Sequence, residues 1–487
     1  MLKRLLMVVA GLCCTILCVA QAETSVRQAV WTPLFDGKSL GGWKAGEHQN
    51  SFKVMDGCIA ADGERAHLFY MGTDGMADFK NFEFSADVMT HSGANSGIYF
   101  HTAYDNTGWP KSGFEVQINN TQPKHGNYYE FKKTGSLYGI RNTYKSIVRD
   151  DEWFNMNIKV TGRQVQVRLN DILVVDYVEP ANVASPAKRL SHGTFALQCH
   201  DPSSKALFKN LRVRPLPDNA ESVSDENPVV DDYYKQVLKL SRDNFPLVNF
   251  HVHLKGGLTM DQALAQSHKS GIFYGIAMNC GVGFSITNDA GIDDFLSKMR
   301  GQPVFIGMQA EGREWVKMFS KEAIAKFDYV FTDSMTFSND KGKRMRLWIK
   351  DEVEVGDKQA FMDMLVKRAV GILSNEPIDI YVNPTFLPDE IAAEYDSLWT
   401  PARMSQVIDA AVKHGVAIEI NARYKLPSPA FIKMAKKAGA KFSFGTNNGD
   451  NEIGRLDYCF QMVRECGLTA DDMFMPKPNG RKPVQVR

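Results

Sequence analysis

The sequence predicts a multidomain chain, an all-β sandwich followed by an α/β barrel. Three observations carry this. From residue 31 to about 215, apolar and polar residues alternate with period two, and turn residues interrupt them about every eight to twelve positions. Residues 216–230 are acidic, Pro-punctuated and without apolar period, as a linker requires. Beyond the linker, short apolar runs alternate with stretches of helical periodicity, the pattern of βα units around a parallel sheet. At 487 residues the chain is also too long for one ordinary core.

In chain order, Lys3 and Arg4 precede an apolar run from Leu5 to Val19, and Ala20-Gln21-Ala22 closes it with small residues. This is the pattern of a cleaved export signal over 1–22, so the mature chain is expected to be periplasmic or secreted, with no membrane span left. The segment holds two basic residues and no acid, and its loss turns the net charge from +1 to −1. Such a balance gives no footing for nucleic acid or an anionic membrane. Five cysteines remain, Cys58, Cys199, Cys280, Cys459 and Cys466, with no Cys-x-x-Cys spacing. An odd, scattered set argues against a disulfide framework, and Cys459 with Cys466 is the nearest pair for a single bridge.

Within 30–215, strands are expected at Phe82-Glu-Phe-Ser-Ala-Asp-Val88, Gly113-Phe-Glu-Val-Gln-Ile-Asn119, Phe154-Asn-Met-Asn-Ile-Lys-Val160 and Val165-Gln-Val-Arg-Leu-Asn170. Alternation sends Phe114, Val116 and Ile118 into the core and leaves Glu115, Gln117 and Asn119 opposite. It likewise sets Asn95, Gly97, Tyr99 and His101 on one face, and Gln198 with His200 on another. If these strands are neighbours, their polar faces form a groove of amides, a carboxylate, imidazoles and rings, groups that take sugar hydroxyls and stack on sugar rings. The alternative is that they face water.

The run Phe35-Asp-Gly-Lys-Ser-Leu-Gly-Gly-Trp43, Asn95-Ser-Gly-Ile-Tyr-Phe, Gly113-Phe-Glu-Val-Gln-Ile, Gly135-Ser-Leu-Tyr-Gly139, Glu152-Trp-Phe-Asn155, Leu197-Gln-Cys-His200 and Phe208-Lys-Asn-Leu-Arg-Val-Arg214 resembles the 3-keto-disaccharide hydrolase family in content and order. The resemblance implies a concanavalin-like jelly roll over most of 30–215 and a carbohydrate substrate. The sequence departs from the family at Asn119, where the strand usually continues toward an aspartate, and at His101, where an arginine is common. A ketone at C3 acidifies the C2 hydrogen, so one base can form an enediolate that expels the C1 substituent. The resemblance thus implies Glu115 and His200 as base or metal ligand, with Asn95, His101, Gln117, Arg141 and Gln198 as binders or polarisers.

In 231–475, strands are expected at 247–253, 274–278, 304–308, 329–332, 378–382, 416–421 and 441–444. Met404, Val407, Ile408, Ala411 and Val412 recur at helical spacing before His414-Gly415 ends the helix. The stretch Asn249-Phe-His-Val-His-Leu-Lys-Gly-Gly257 points His251 and His253 to one side of a strand end, a metal-ligand spacing. Its alternative is two idle histidines. With Ala417-Ile-Glu-Ile-Asn-Ala422 and Phe444-Gly-Thr-Asn-Asn-Gly-Asp450, it resembles the PHP family of metal-dependent phosphoesterases, named for polymerase and histidinol phosphatase members. This implies a PHP-like, distorted TIM barrel holding divalent metal. Met278-Asn279-Cys280, Asn383-Pro384 and Thr446-Asn447-Asn448-Gly449 replace the family's Thr-Asp-His, His-Pro and Ser-Asp-x-His. The expectation is therefore a reduced site of His251, His253 and Glu311, with Asp333 or Asp450 compensating, for one Zn, Mn or Ca ion. Residues 476–487 read as a C-terminal tail.

The expected function is an exported carbohydrate-active enzyme, hydrolase or lyase, acting on 3-keto-glycosides. Two alternatives are a sugar-binding module fused to a phosphoesterase-like barrel hydrolase, and a non-catalytic binding protein.

Overall fold

The computed structural model describes residues 30–487 except 125, 127, 183–188, 221–226 and 339–341. The export signal expected at 1–22 and the middle of the expected linker lie outside the described residues.

The period-two stretch forms two antiparallel sheets packed face to face. One has eight strands, running from Ile172–Val178 at one edge through Phe82–Thr90 and Lys205–Pro215 to Phe52–Met55. The other has five, in the order Trp43–Ala45, Ala66–Tyr70, Thr194–Cys199, Ser96–Thr102 and Phe114–Ile118. Phe82, Phe84 and Val88 from the first meet Ile98, Phe100, Val116, Phe195 and Leu197 from the second, all fully buried. Burying one face of each sheet fixes the register, because a one-residue slip would turn the whole apolar set outward. The second sheet therefore keeps a polar outer face.

Seven parallel strands close the barrel, from Val248–Val252 through Phe273–Cys280, Phe305–Ala310, Tyr329–Thr332, Ile380–Tyr381 and Ala417–Asn421 to Phe442–Gly445. Pairing of Asn249 with Phe444 completes the ring. The helices between them begin and end on local signals. Helix Met260–Ser270 starts with a capping box of Thr259 and Gln262 and stops at Gly271, whose φ of 75° suits a residue without Cβ. Helix Pro401–His414 starts at the Thr400 cap with Pro at N1 and ends at Gly415. The expected tail is docked instead: Val484 is buried, and the Lys482 ammonium donates to the Ala325 and Phe327 carbonyls at 2.6 Å each. No helix among the described residues is long and apolar enough to cross a membrane.

The sandwich packs on one end of the barrel. Phe131 and Tyr144 belong to the barrel's own apolar core. The Tyr144 hydroxyl donates to the Phe245 carbonyl at 3.1 Å, just before the first barrel strand. Lys145 donates to the Val304 carbonyl at 3.2 Å and to Asp328 at 2.7 Å, just before the third and fourth. Every one of these contacts lies at strand beginnings. The sandwich thus covers the face that serves stability in such barrels and leaves the mouth, where strand ends gather, on the far side.

Candidate functional site

The outer face of the five-stranded sheet brings together four of the sequence-predicted residues. Antiparallel register places Tyr99 opposite both Ala196 and Glu115, and Gly97 opposite Gln117. The Glu115 carboxylate accepts the Tyr99 hydroxyl at 2.9 Å and the Gln198 amide at 2.9 Å, and the same amide lies 3.2 Å from the Tyr99 oxygen. Gly97 makes room for this: a Cβ there would stand 2.4 Å from Glu115 Oε1. Gln117 donates to Asn95 at 2.8 Å, and Asn95 donates to Gln122 at 2.9 Å.

His200 follows the strand Thr194–Cys199 and lies two residues from Gln198. Its Nδ1 is 2.6 Å from Asp201 Oδ2. Burial alone would raise the Asp201 carboxyl, but hydrogen bonds from Ser203 and His200 hold it down to about 2. An ionised Asp201 requires the proton on Nδ1 and leaves the Nε2 lone pair as an acceptor, the tautomer a general base needs. Trp109, at 45 % exposure, sits over this region with its ring 5.4 Å from His200 and 5.5 Å from His67. Sequence reasoning missed Asp201, His67 and Trp109. An acid directly after His200 was visible, but consecutive residues of a strand face opposite ways, and only the strand's end at Cys199 lets the pair meet.

Other expectations are corrected. The polar face is largely covered, with His67, Gln117 and Gln198 each about 1 % exposed, while Glu115 and His200 are half-buried. His101 does not join this face. Its φ of 51° breaks the alternation and turns the ring against Phe82 and Phe100, while Nε2 meets the Lys80 carbonyl at 2.8 Å and Nδ1 accepts the Ser191 amide at 3.3 Å. Arg141 is not a sugar binder. It donates to the His268 and Lys269 carbonyls at 2.7 and 3.0 Å, across the domain boundary. Asn119 is buried, donating to the Lys132 carbonyl at 3.1 Å. All five cysteines are free, Cys459 and Cys466 included.

At the barrel mouth, His251 and His253 share a side as expected, with ring centroids 5.2 Å apart. Each Nδ1 is engaged, His251 with Glu419 at 2.6 Å and His253 with the Ala277 carbonyl at 3.1 Å, and each buried Nε2 has no partner. That half fits a metal, since a carboxylate or carbonyl on the far nitrogen is how ligand imidazoles are oriented. The third donor does not fit. Glu311 accepts the Asn279 amide at 2.7 Å and the Gln309 amide at 3.0 Å. Burial, and then the Asp333 charge, push its carboxyl up to about 7. Asp333 accepts the Met335 backbone and the Asn383 amide, and Asp450 is exposed, capping the Glu452 amide. Among the described residues, no three His, Cys, Asp or Glu side chains are grouped to hold a metal ion. The triad of His251, His253 and Glu311 is therefore not assembled, and asparagines stand at 279, 383, 447 and 448, where an amide oxygen lacks the charge of a ligand carboxylate.

With this geometry in hand, the comparisons with known proteins divide at the linker. Residues 30–214 match the family described as a 3-keto-alpha-glucoside-1,2-lyase-like domain. A candidate glycosyl hydrolase from Parabacteroides distasonis is 23 % identical, over 38 % of this chain and 94 % of that one, with a TM-score of 0.34. The carbohydrate-binding module CBM66 from Bacillus subtilis is 16 % identical, over 36 % of this chain and 95 % of that one, with a TM-score of 0.26. Histidinol phosphate phosphatase from Lactococcus lactis, solved with Zn, L-histidinol and phosphate, is 11 % identical, over 46 % of this chain and 95 % of that one, with a TM-score of 0.34. No curated protein matches the chain. The lyase-like match points the first domain toward carbohydrate.

Proposed function

We propose that the sandwich cleaves 3-keto-glycosides by eliminating the C1 substituent. The observation that carries this is the His200–Asp201 pair at the end of the strand that bears Gln198, whose amide together with Tyr99 holds the Glu115 carboxylate, within the stretch that matches the lyase-like family. His200 Nε2 takes the C2 proton, whose acidity comes from the neighbouring ketone, and the bonding pair moves into an enediolate. The C1–O bond then breaks as a C1–C2 double bond forms. The departing oxygen receives the proton from the imidazolium, so the products are a 2-hydroxy-3-keto-glycal and the free alcohol. Glu115 accepts sugar hydroxyls and holds the ring against the base. Asn95, Gln117 and Gln198 form the amide network behind it, and Trp109 offers its exposed ring for stacking.

The reading includes export, with residues 1–22 as the leader, a sandwich over 30–215 and a barrel over 231–475. No step is assigned to a metal, because among the described residues the two imidazoles at the barrel mouth are not grouped with a third His, Cys, Asp or Glu.

The test is turnover of a methyl 3-keto-glucoside by the purified full chain, followed as loss of the ketosugar and appearance of the glycal. His200→Gln is expected to lower kcat on the order of 10²–10⁴-fold, and Glu115→Gln to raise KM roughly tenfold. Turnover unchanged in His200→Gln sinks the assignment of the base. A phosphodiester hydrolysed at a comparable rate, and lost in His251→Ala, moves the activity to the barrel.

A further inference from the structure

The free edge of the strand Phe114–Ile118 is extended by residues 135–138, whose backbone pairs with it: Gly135 donates to Gln117, Gln117 to Ser136, and Tyr138 to Glu115, all at 2.9 Å. Leu137 points into the core, so Tyr138 lies on the polar face next to Glu115, half-buried. Its hydroxyl donates to Glu130 at 2.9 Å, as does that of Tyr128 at 2.5 Å, and Tyr128 is 48 % exposed. Behind Glu130 stands Lys132, with side chains 2 % and 0 % exposed respectively. The Lys132 ammonium is 3.3 Å from Glu130, sits 4.3 Å from the Tyr138 ring centroid, and donates to Asn244 Oδ1 at 3.0 Å. Asn244 belongs to the barrel half, immediately before its first strand, and also accepts the Phe131 amide and donates to the Tyr129 carbonyl.

We propose that the barrel completes the sugar site of the sandwich: Asn244 positions the Lys132–Glu130 pair, which sets the Tyr128 and Tyr138 hydroxyls beside Glu115 to receive a hydroxyl of the bound saccharide. This rests on the reading of the sandwich as a 3-keto-glycoside lyase. A phenol that donates to Glu130 keeps a lone pair turned outward, so it accepts from a sugar hydroxyl, and its ring offers a stacking face. A buried ion pair is a poor device for mere docking, because apolar residues of the same volume pack domains equally well. Here one Glu130 oxygen takes both tyrosine hydroxyls while the other takes Lys132, so the pair fixes two hydroxyl rotors at once. Other polar contacts of the interface are made by different side chains, among them Lys145 with Asp328 and Arg141 with the helix Met260–Ser270.

The experiment compares full-length wild type with Asn244→Gly, Asn244→Asp, Tyr138→Phe and Lys145→Met, using methyl 3-keto-α-glucoside as both substrate and calorimetric ligand. Asn244 has φ 56°, which glycine adopts freely, so Asn244→Gly removes the amide without straining the backbone. Asn244→Gly and Tyr138→Phe are expected to raise KM and Kd roughly tenfold, as losing one or two hydrogen bonds implies, with kcat within about twofold of wild type. Asn244→Asp keeps the acceptor and restores KM. Lys145→Met breaks the interface at another point and leaves KM alone. Wild-type KM in Asn244→Gly overturns the proposal, as does an equal rise in Lys145→Met, which would mark general loosening. If wild type binds the sugar without cleaving it, the lyase reading fails and the Kd values of the same variants still decide this one. If it neither binds nor cleaves, both fall.

Discussion

Glu115 owes its place to a residue with no side chain. A methyl group at position 97 would overlap the carboxylate at 2.4 Å, inside any tolerable contact. Gly97→Ala is therefore expected to displace Glu115 from Tyr99 and Gln198 and to destabilise the sandwich by about 1–3 kcal/mol, the range for overpacking a buried site. Urea unfolding measures the second effect, and a rise in KM for the ketosugar measures the first. Asp201 acts on His200 through the tautomer. Asp201→Asn puts an amide that can donate to Nδ1 where only an acceptor stood and so loses the tautomer with a free Nε2 lone pair, and kcat should fall on the order of 10²-fold or more. A kcat equal to wild type would show that Asp201 does not act on the base.

Among elements, the helix Met260–Ser270 is the one most dependent on the other domain. Its last carbonyls have no intrahelical partner, and the Arg141 guanidinium takes those of His268 and Lys269, while its plane rests 5.0 Å from the Tyr177 ring and 5.8 Å from that of Tyr234. A sequence shows Arg141 as a cation after a turn and gives no reason to choose a helix end over a ligand. Arg141→Ala is expected to lower stability by about 3 kcal/mol, since it strips two charged hydrogen bonds from part-buried carbonyls. Denaturant unfolding of the full chain checks this, and a midpoint equal to wild type would contradict the clamp. The strand Ser96–Thr102 shows the complementary case. Alternation places Gly97 and Tyr99 correctly, yet one left-handed residue at its end is enough to send His101 into the core edge.

For the whole molecule, pH acts in opposite senses on the buried imidazoles and on Glu311. Desolvation holds His67 and His101 in the sandwich, and His268 at the interface, down to about 4. Between there and the ordinary value near 6.5 the unfolded chain binds more protons, so stability falls as pH drops through that window. Glu311 runs the other way. Its carboxyl, raised to about 7, binds an extra proton in the folded barrel, so its contribution is present at low pH and is lost as pH rises from about 4.5 to about 7. Glu311→Gln should thus gain stability relative to wild type near pH 7.5 and little near pH 5, by urea unfolding at both. Equal differences at the two pH values would remove Glu311 as the cause.

Periodicity alone carried the two-part architecture, because burying one face of a strand or helix is a local demand written in residue spacing. All seven barrel strands, the Gly415 helix stop and the shared face of Glu115 and Gln117 were readable for that reason. What tertiary structure decided were the relations between distant segments. These include the proton-fixing partner of His200, the failure of Glu311 to join His251 and His253, the burial of Arg141 under a helix end, and the joining of the barrel's Asn244 to the tyrosines beside Glu115. Spacing reports which way a side chain faces, whereas a site depends on what stands opposite it, and only the closed packing of both domains supplies that.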